Sequence, residues 1–214
     1  MFKKITLLGV LAVLCLNFSS IAQSPISEIK PNSLSFEDSL SRTQFGSKGG
    51  ALKVGDKLPQ TFWQQEHRIY ANGQTTTQTL AQHKGKLLIL DFWATWCGSC
   101  INKFRTIENL QTQFAEQAMF LLVNTQKTRD DETKIDDLLS GRKYDTKPYA
   151  LASIYNDTYV HQLFPHGFMP YYVIISPSAE VRAIIPAELV TAENMKLLLD
   201  SFGARTKKGA KHDK

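Results

Sequence analysis

The chain has 214 residues, 43% of them hydrophobic and 21% charged, with a formal net charge of +5 and three cysteines. That length and apolar content support one ordered domain with a buried core. The positive charge does not mark a nucleic-acid binder: basic residues crowd positions 204–214, which read as a solvated, frayed tail rather than a nucleic-acid or membrane arm.

In chain order, the first signal is Lys3 and Lys4 ahead of an apolar run at 5–18 and the small-x-small triplet Ser20-Ile21-Ala22. Residues 1–22 therefore read as a secretory signal peptide cleaved after Ala22, the run being shorter than the roughly 20 residues that span a bilayer. Cys15 lies inside that run, and Leu14 stands where a lipobox-like pattern needs a small residue, so no stable membrane anchor is expected. The reading places the protein outside the cytoplasm, in a periplasm or cell envelope. Residues 23–50 are rich in Ser, Pro, Gly and charge and read as a flexible lead-in to a domain at 51–203.

Short β-prone stretches at 68–70 and 75–77 flank Asn72-Gly73, the dipeptide of a tight hairpin. Residues 87–92, bounded by Gly85, form an apolar run broken only by Asp91, as expected of a strand covered on both faces. Ile101, Phe104, Ile107, Leu110 and Phe114 then recur at helical spacing directly after Cys97. A buried strand is predicted at 119–123, a helix at 132–139, a strand at 151–155, and a short helix capped by Asp157 and ending before Pro165. Strands at 171–175 and 181–185 flank a Ser-Pro-Ser-Ala turn, and a last helix, capped near Thr191, carries Met195, Leu198, Leu199 and Phe202 on one face. This order predicts an α/β fold: a mixed central sheet, helices on both faces, and an added N-terminal β-hairpin.

Removal of the leader leaves Cys97 and Cys100, which within one molecule can pair only with each other. As a staple the pair closes a loop of about four residues, contributing only about 2 kcal/mol by chain entropy. A structural zinc site usually needs four ligands, and His67, His83, His161, His166 and His212 show no close metal-ligand spacing. A reversible redox couple is the favoured reading. At a helix N-terminus, unpaired N–H groups and the helix dipole favour a thiolate. Cys97, at the cap, is the expected nucleophile, and Cys100, one turn inward, the resolving thiol. The alternative from another class is a non-enzymatic copper-binding chaperone using both thiolates and a histidine such as His166.

The segment Asp91-Phe92-Trp93-Ala94-Thr95-Trp96-Cys97-Gly98-Ser99-Cys100 closely resembles the active-site segment of thioredoxins. "KVGDKLPQTFW" and the hairpin that follows resemble the exported TlpA-like thiol-disulfide reductase branch, and Met169-Pro170 is similar to the superfamily's cis-proline element; the resemblance covers about residues 52–202. It implies a thioredoxin-like fold and a thiol-disulfide oxidoreductase acting on protein cysteines without a bound organic cofactor. The branch implies the reductase direction, with electrons drawn from a membrane donor. The resemblance also makes Asp91 a buried proton acceptor for Cys100, Trp96 a wall of the site, and Met169 with cis-Pro170 a docking edge for an extended substrate. The chain departs from the pattern at Ser99 and Arg105, where prolines are usual, at Lys103, where the branch often has glutamate, and in lacking a lysine at 119–123. His166 reads as a solvent-exposed loop residue and His161 as a partly buried structural one.

Overall fold

The computed structural model describes residues 50–209. The predicted signal peptide, Cys15 and all of the predicted lead-in but Gly50 lie outside the described residues. Seven strands form one sheet: β1 (His67–Ala71), β2 (Gln74–Gln78), β3 (Leu87–Phe92), β4 (Ala118–Thr125), β5 (Ser153–Asp157), β6 (Tyr171–Ile175) and β7 (Val181–Ile185). Their spatial order is β2-β1-β5-β4-β3-β6-β7, with β3, β4 and β5 parallel and the remaining pairs antiparallel. The helices are α1 (Gly98–Ile101), α2 (Phe104–Gln113), α3 (Glu132–Leu139), α4 (Tyr159–Leu163) and α5 (Ala192–Gly209).

The pattern of β3 explains why it lies inside the sheet. All six of its residues are buried, between β4 on one side and β6 on the other. Because side chains alternate across a strand, Leu87 and Ile89 join one core and Leu88, Leu90 and Phe92 the other. The first core is closed by Phe104, Ile107 and Leu110 of α2, by α3 and by Met195 and Leu198 of α5. The second is closed by Phe62 and Trp63, from a short helical turn at Gln60–Gln64, and by Val160 of α4 with Phe164. Each such Leu, Ile or Phe contributes about 1.5–3 kcal/mol by leaving water, which places helices on both faces as the mixed pattern requires. Alternation also puts Asp91 on the first face, under α1 and α2.

At the hairpin, Ala71 pairs with Gln74, and Asn72 (φ 52°) and Gly73 (φ 78°) take the two left-handed positions that a two-residue turn demands. The boundaries of α3, β6 and β7 coincide with those expected. Four elements differ. The last helix, α5, runs to Gly209, into the stretch 204–214 read as a frayed tail. The helix expected to run on from the cysteines is two pieces, because the Lys103 N–H bonds back three residues to the Cys100 carbonyl and tightens the chain between Ile101 and Phe104. The strand expected at 151–155 is β5, two residues later: Leu151 is buried in the core but precedes the ladder. β4 extends to Thr125. Asp157 ends β5 and still caps α4, its Oδ1 accepting the Val160 and His161 N–H groups at 2.7 and 3.3 Å.

Candidate active site

The chain leaving β3 is tied down before it reaches the sulfurs. Trp93 is fully buried, donates from Nε1 to Ser153 Oγ at 2.9 Å, and meets Phe104 edge-on. Asp130 accepts from Thr95 N at 2.8 Å and from Thr95 Oγ1 at 2.6 Å, while Lys143 Nζ donates to the Thr95 carbonyl at 2.7 Å. Asn124 Nδ2 links this carboxylate, at 2.7 Å, to the Trp93 carbonyl at 3.3 Å. Trp96 donates from its indole nitrogen to the Thr128 carbonyl at 3.1 Å, yet its side chain stands in solvent, the residue being 64% exposed.

Cys97 is the N-cap of α1 and is disulfide-bonded to Cys100. Its Sγ accepts the Cys100 N–H at 3.3 Å and lies 3.5 Å from Ser99 Oγ, so hydrogen-bond donors surround the atom that carries negative charge once the bond opens. Cys97 keeps 6% exposure and Cys100 none.

Asp91 is wholly buried, and neither carboxyl oxygen completes a hydrogen bond. Burial pushes its pKa up to about 8, and the Tyr172 hydroxyl draws it part of the way back. An acid of that kind can hold or release a proton near neutral pH.

The Met169–Pro170 peptide is cis, and Met169 is half-buried. With Trp96, Cys97, Lys127, His161, His166 and Phe168 it lines a cavity of about 350 Å³. This brings Trp96, Cys97 and Met169 to one opening, with Pro170 next in the chain; Cys100 and Asp91 are fully buried. His166 differs from the expectation of a solvent-exposed loop residue. Its ring is stacked on Tyr171 at 5.2 Å, tilted against Phe92 at 4.5 Å, and its Nδ1 lies 3.1 Å from the Phe164 carbonyl. Burial pushes its pKa down, favouring the neutral imidazole beside the cavity. Among the described residues, no group of three or more His, Cys, Asp or Glu side chains is arranged to hold a metal ion.

Sequence reasoning missed the Asp130–Lys143 clamp and Tyr172. Asp130 is next to the α3 cap Asp131 and carries no local signal that it reaches 35 positions back to Thr95. Tyr172 is recognisable only once β6 is registered on β3, where it falls opposite Asp91.

The family model described as thioredoxin matches residues 69–136. Thioredoxin-like protein YneN of Bacillus subtilis is 33% identical over 57 residues, which are 27% of this chain and 34% of that protein. Matches to the first relatives thus span about a third of their length or less. Thiol-disulfide oxidoreductase ResA of Oceanobacillus iheyensis is 27% identical over 138 residues, 64% of this chain and 67% of that one. Among solved structures, a mutant of PrxQ from Xylella fastidiosa superposes with a TM-score of 0.54 at 17% identity, covering 74% of this chain and 99% of its own, a likeness of fold.

Proposed function

We propose that the chain is a member of the thioredoxin superfamily, in its TlpA-like branch, and an exported thiol-disulfide oxidoreductase that reduces protein disulfides through Cys97 and Cys100. The observation that carries the reading is the Cys97–Cys100 bond at the mouth of the cavity, the outer sulfur capping α1 and the inner one buried. The reduced form starts the cycle. The Cys97 thiolate attacks a substrate disulfide, forming a mixed disulfide and releasing one substrate thiolate. Cys100 then gives its proton to the Asp91 carboxylate, attacks Cys97 Sγ, and releases the second substrate thiolate, so two electrons pass to the substrate and the Cys97–Cys100 bond is restored. An extended substrate strand pairs with the backbone at Met169 while Trp96 walls the opening.

One further feature supports export: the Lys3, Lys4 and 5–18 pattern fits a leader peptide. A reductase in an oxidising compartment draws electrons from a membrane donor, which re-reduces the disulfide. Insulin reduction driven by dithiothreitol tests turnover, and the reduction potential of the couple tests direction: a value near about −270 mV fits a reductase, one near about −120 mV an oxidant. Absence of insulin turnover overturns the enzyme reading.

A further inference from the structure

The mechanism leaves the buried Tyr172 unused. Tyr172 is fully buried, its hydroxyl completes no hydrogen bond, and it sits opposite Asp91 in the β3–β6 register, on the same face of the sheet. Two orphaned polar groups side by side in an apolar core are costly, about 1–3 kcal/mol for each group left unsatisfied. An arrangement that keeps both calls for a use of the pair.

We propose that Tyr172 is a positioning residue for proton transfer: its hydroxyl turns to donate to the Asp91 carboxylate and so holds that acid ready to receive the proton of Cys100. The inference rests on the reading of Asp91 as the proton acceptor. The β4 residue in register with Asp91 is Leu122; α1 and its N-cap contribute the two cysteines to the same core, and α2 contributes Phe104. Burial and Tyr172 are the influences on the Asp91 carboxyl, and no cation is among them. Glu188, in the turn Ala187–Leu189, acts on Tyr172 and, with burial and Asp91, pushes the phenol far up, so Tyr172 remains a neutral donor throughout the working range. The proton balance is closed within the pair of carboxyl and thiol: Cys100 loses one proton, Asp91 gains it, and Tyr172 keeps its own while its hydrogen bond is strongest to the ionised carboxylate.

The test is the pH profile of resolution, read by stopped-flow as closure of the Cys97–Cys100 bond after reaction of the reduced protein with a small aromatic disulfide. Tyr172→Phe removes one oxygen and retains the ring. The inflection assigned to Asp91 moves up by about one pH unit in this variant, the loss of one charge-assisted hydrogen bond. Asp91→Asn abolishes the inflection, and the double variant behaves as Asp91→Asn alone. An unmoved inflection in Tyr172→Phe, with Asp91→Asn still abolishing it, overturns the role of Tyr172 and leaves Asp91 in place. An inflection that survives Asp91→Asn overturns the reading of Asp91, and the proposal with it. Infrared difference spectra of the otherwise native protein supply a measurement independent of the folding of Tyr172→Phe: a protonated carboxyl band, identified by its loss in Asp91→Asn, vanishes as pH is raised together with a perturbation of tyrosine bands. Tyrosine bands that stay unchanged through that titration overturn the proposal.

Discussion

The difference between the two sulfurs is one turn of helix. Cys97 retains some exposure and receives an N–H, whereas Cys100 is closed off beneath it. Cys97→Ser therefore abolishes disulfide exchange, with insulin turnover falling to background, while folding is retained because the short cross-link contributes only about 2 kcal/mol. Normal turnover in this variant excludes Cys97 as nucleophile. Cys100→Ser leaves the attack intact but removes the escape, so mixed disulfides with client proteins accumulate on nonreducing gels of an envelope extract. Empty gels argue against protein substrates. The placing of the pair at a helix N-terminus was legible because the cysteine spacing and the helical repeat behind it are local. His166 was not, since its burial comes from Phe92 and Tyr171, which lie far from it or on another element until the sheet forms.

Segments with a sharp period and a stop signal were readable at the level of elements. Asn72-Gly73 gives the turn of the β1–β2 hairpin, and Thr191 caps α5 by accepting the Asn194 N–H at 3.2 Å. Leu151 misled because an apolar side chain reports burial, not membership of a hydrogen-bonded ladder. The break between α1 and α2 was hidden for a related reason: Ile101 and Phe104 face the same core on either side of it, so the apolar repeat continues although the backbone does not. The clamp on the β3–α1 connection belongs to this scale as well, since it joins the end of β4 and the start of α3 to Thr95. Asp130→Ala removes the acceptor of three such bonds. It lowers stability by about 1.5–3 kcal/mol and loosens the segment carrying Trp96, so that KM for a protein disulfide rises more than kcat falls. Urea midpoints and steady-state kinetics check both halves; an unchanged KM shows that the clamp does not position the substrate-facing wall.

For the whole molecule, the buried acid couples the stability of the fold to the pH at which the site works. Asp91 has an ordinary pKa of 3.8, which burial raises to about 8 in the folded state. Between those values the folded chain holds a proton that the unfolded chain has released, so unfolding becomes easier as pH rises. The loss is at most about 1.4 kcal/mol per pH unit, begins near pH 4 and levels off above about 8. This is opposite in sign to a salt-bridged carboxylate, whose contribution disappears on acidification. Asp91→Asn removes the dependence, because an amide of nearly the same size has no charge to desolvate. The variant is therefore similar to the native protein in stability near pH 4 and more stable by several kcal/mol near pH 8, while resolution of the mixed disulfide is slowed. Urea midpoints of both oxidised proteins at pH 4, 6 and 8 isolate the effect, since every other titrating group is common to the two and cancels in the difference. A difference that does not grow with pH would mean that Asp91 is hydrated or paired in solution, and the acid would then lose the raised pKa on which its part in proton transfer depends.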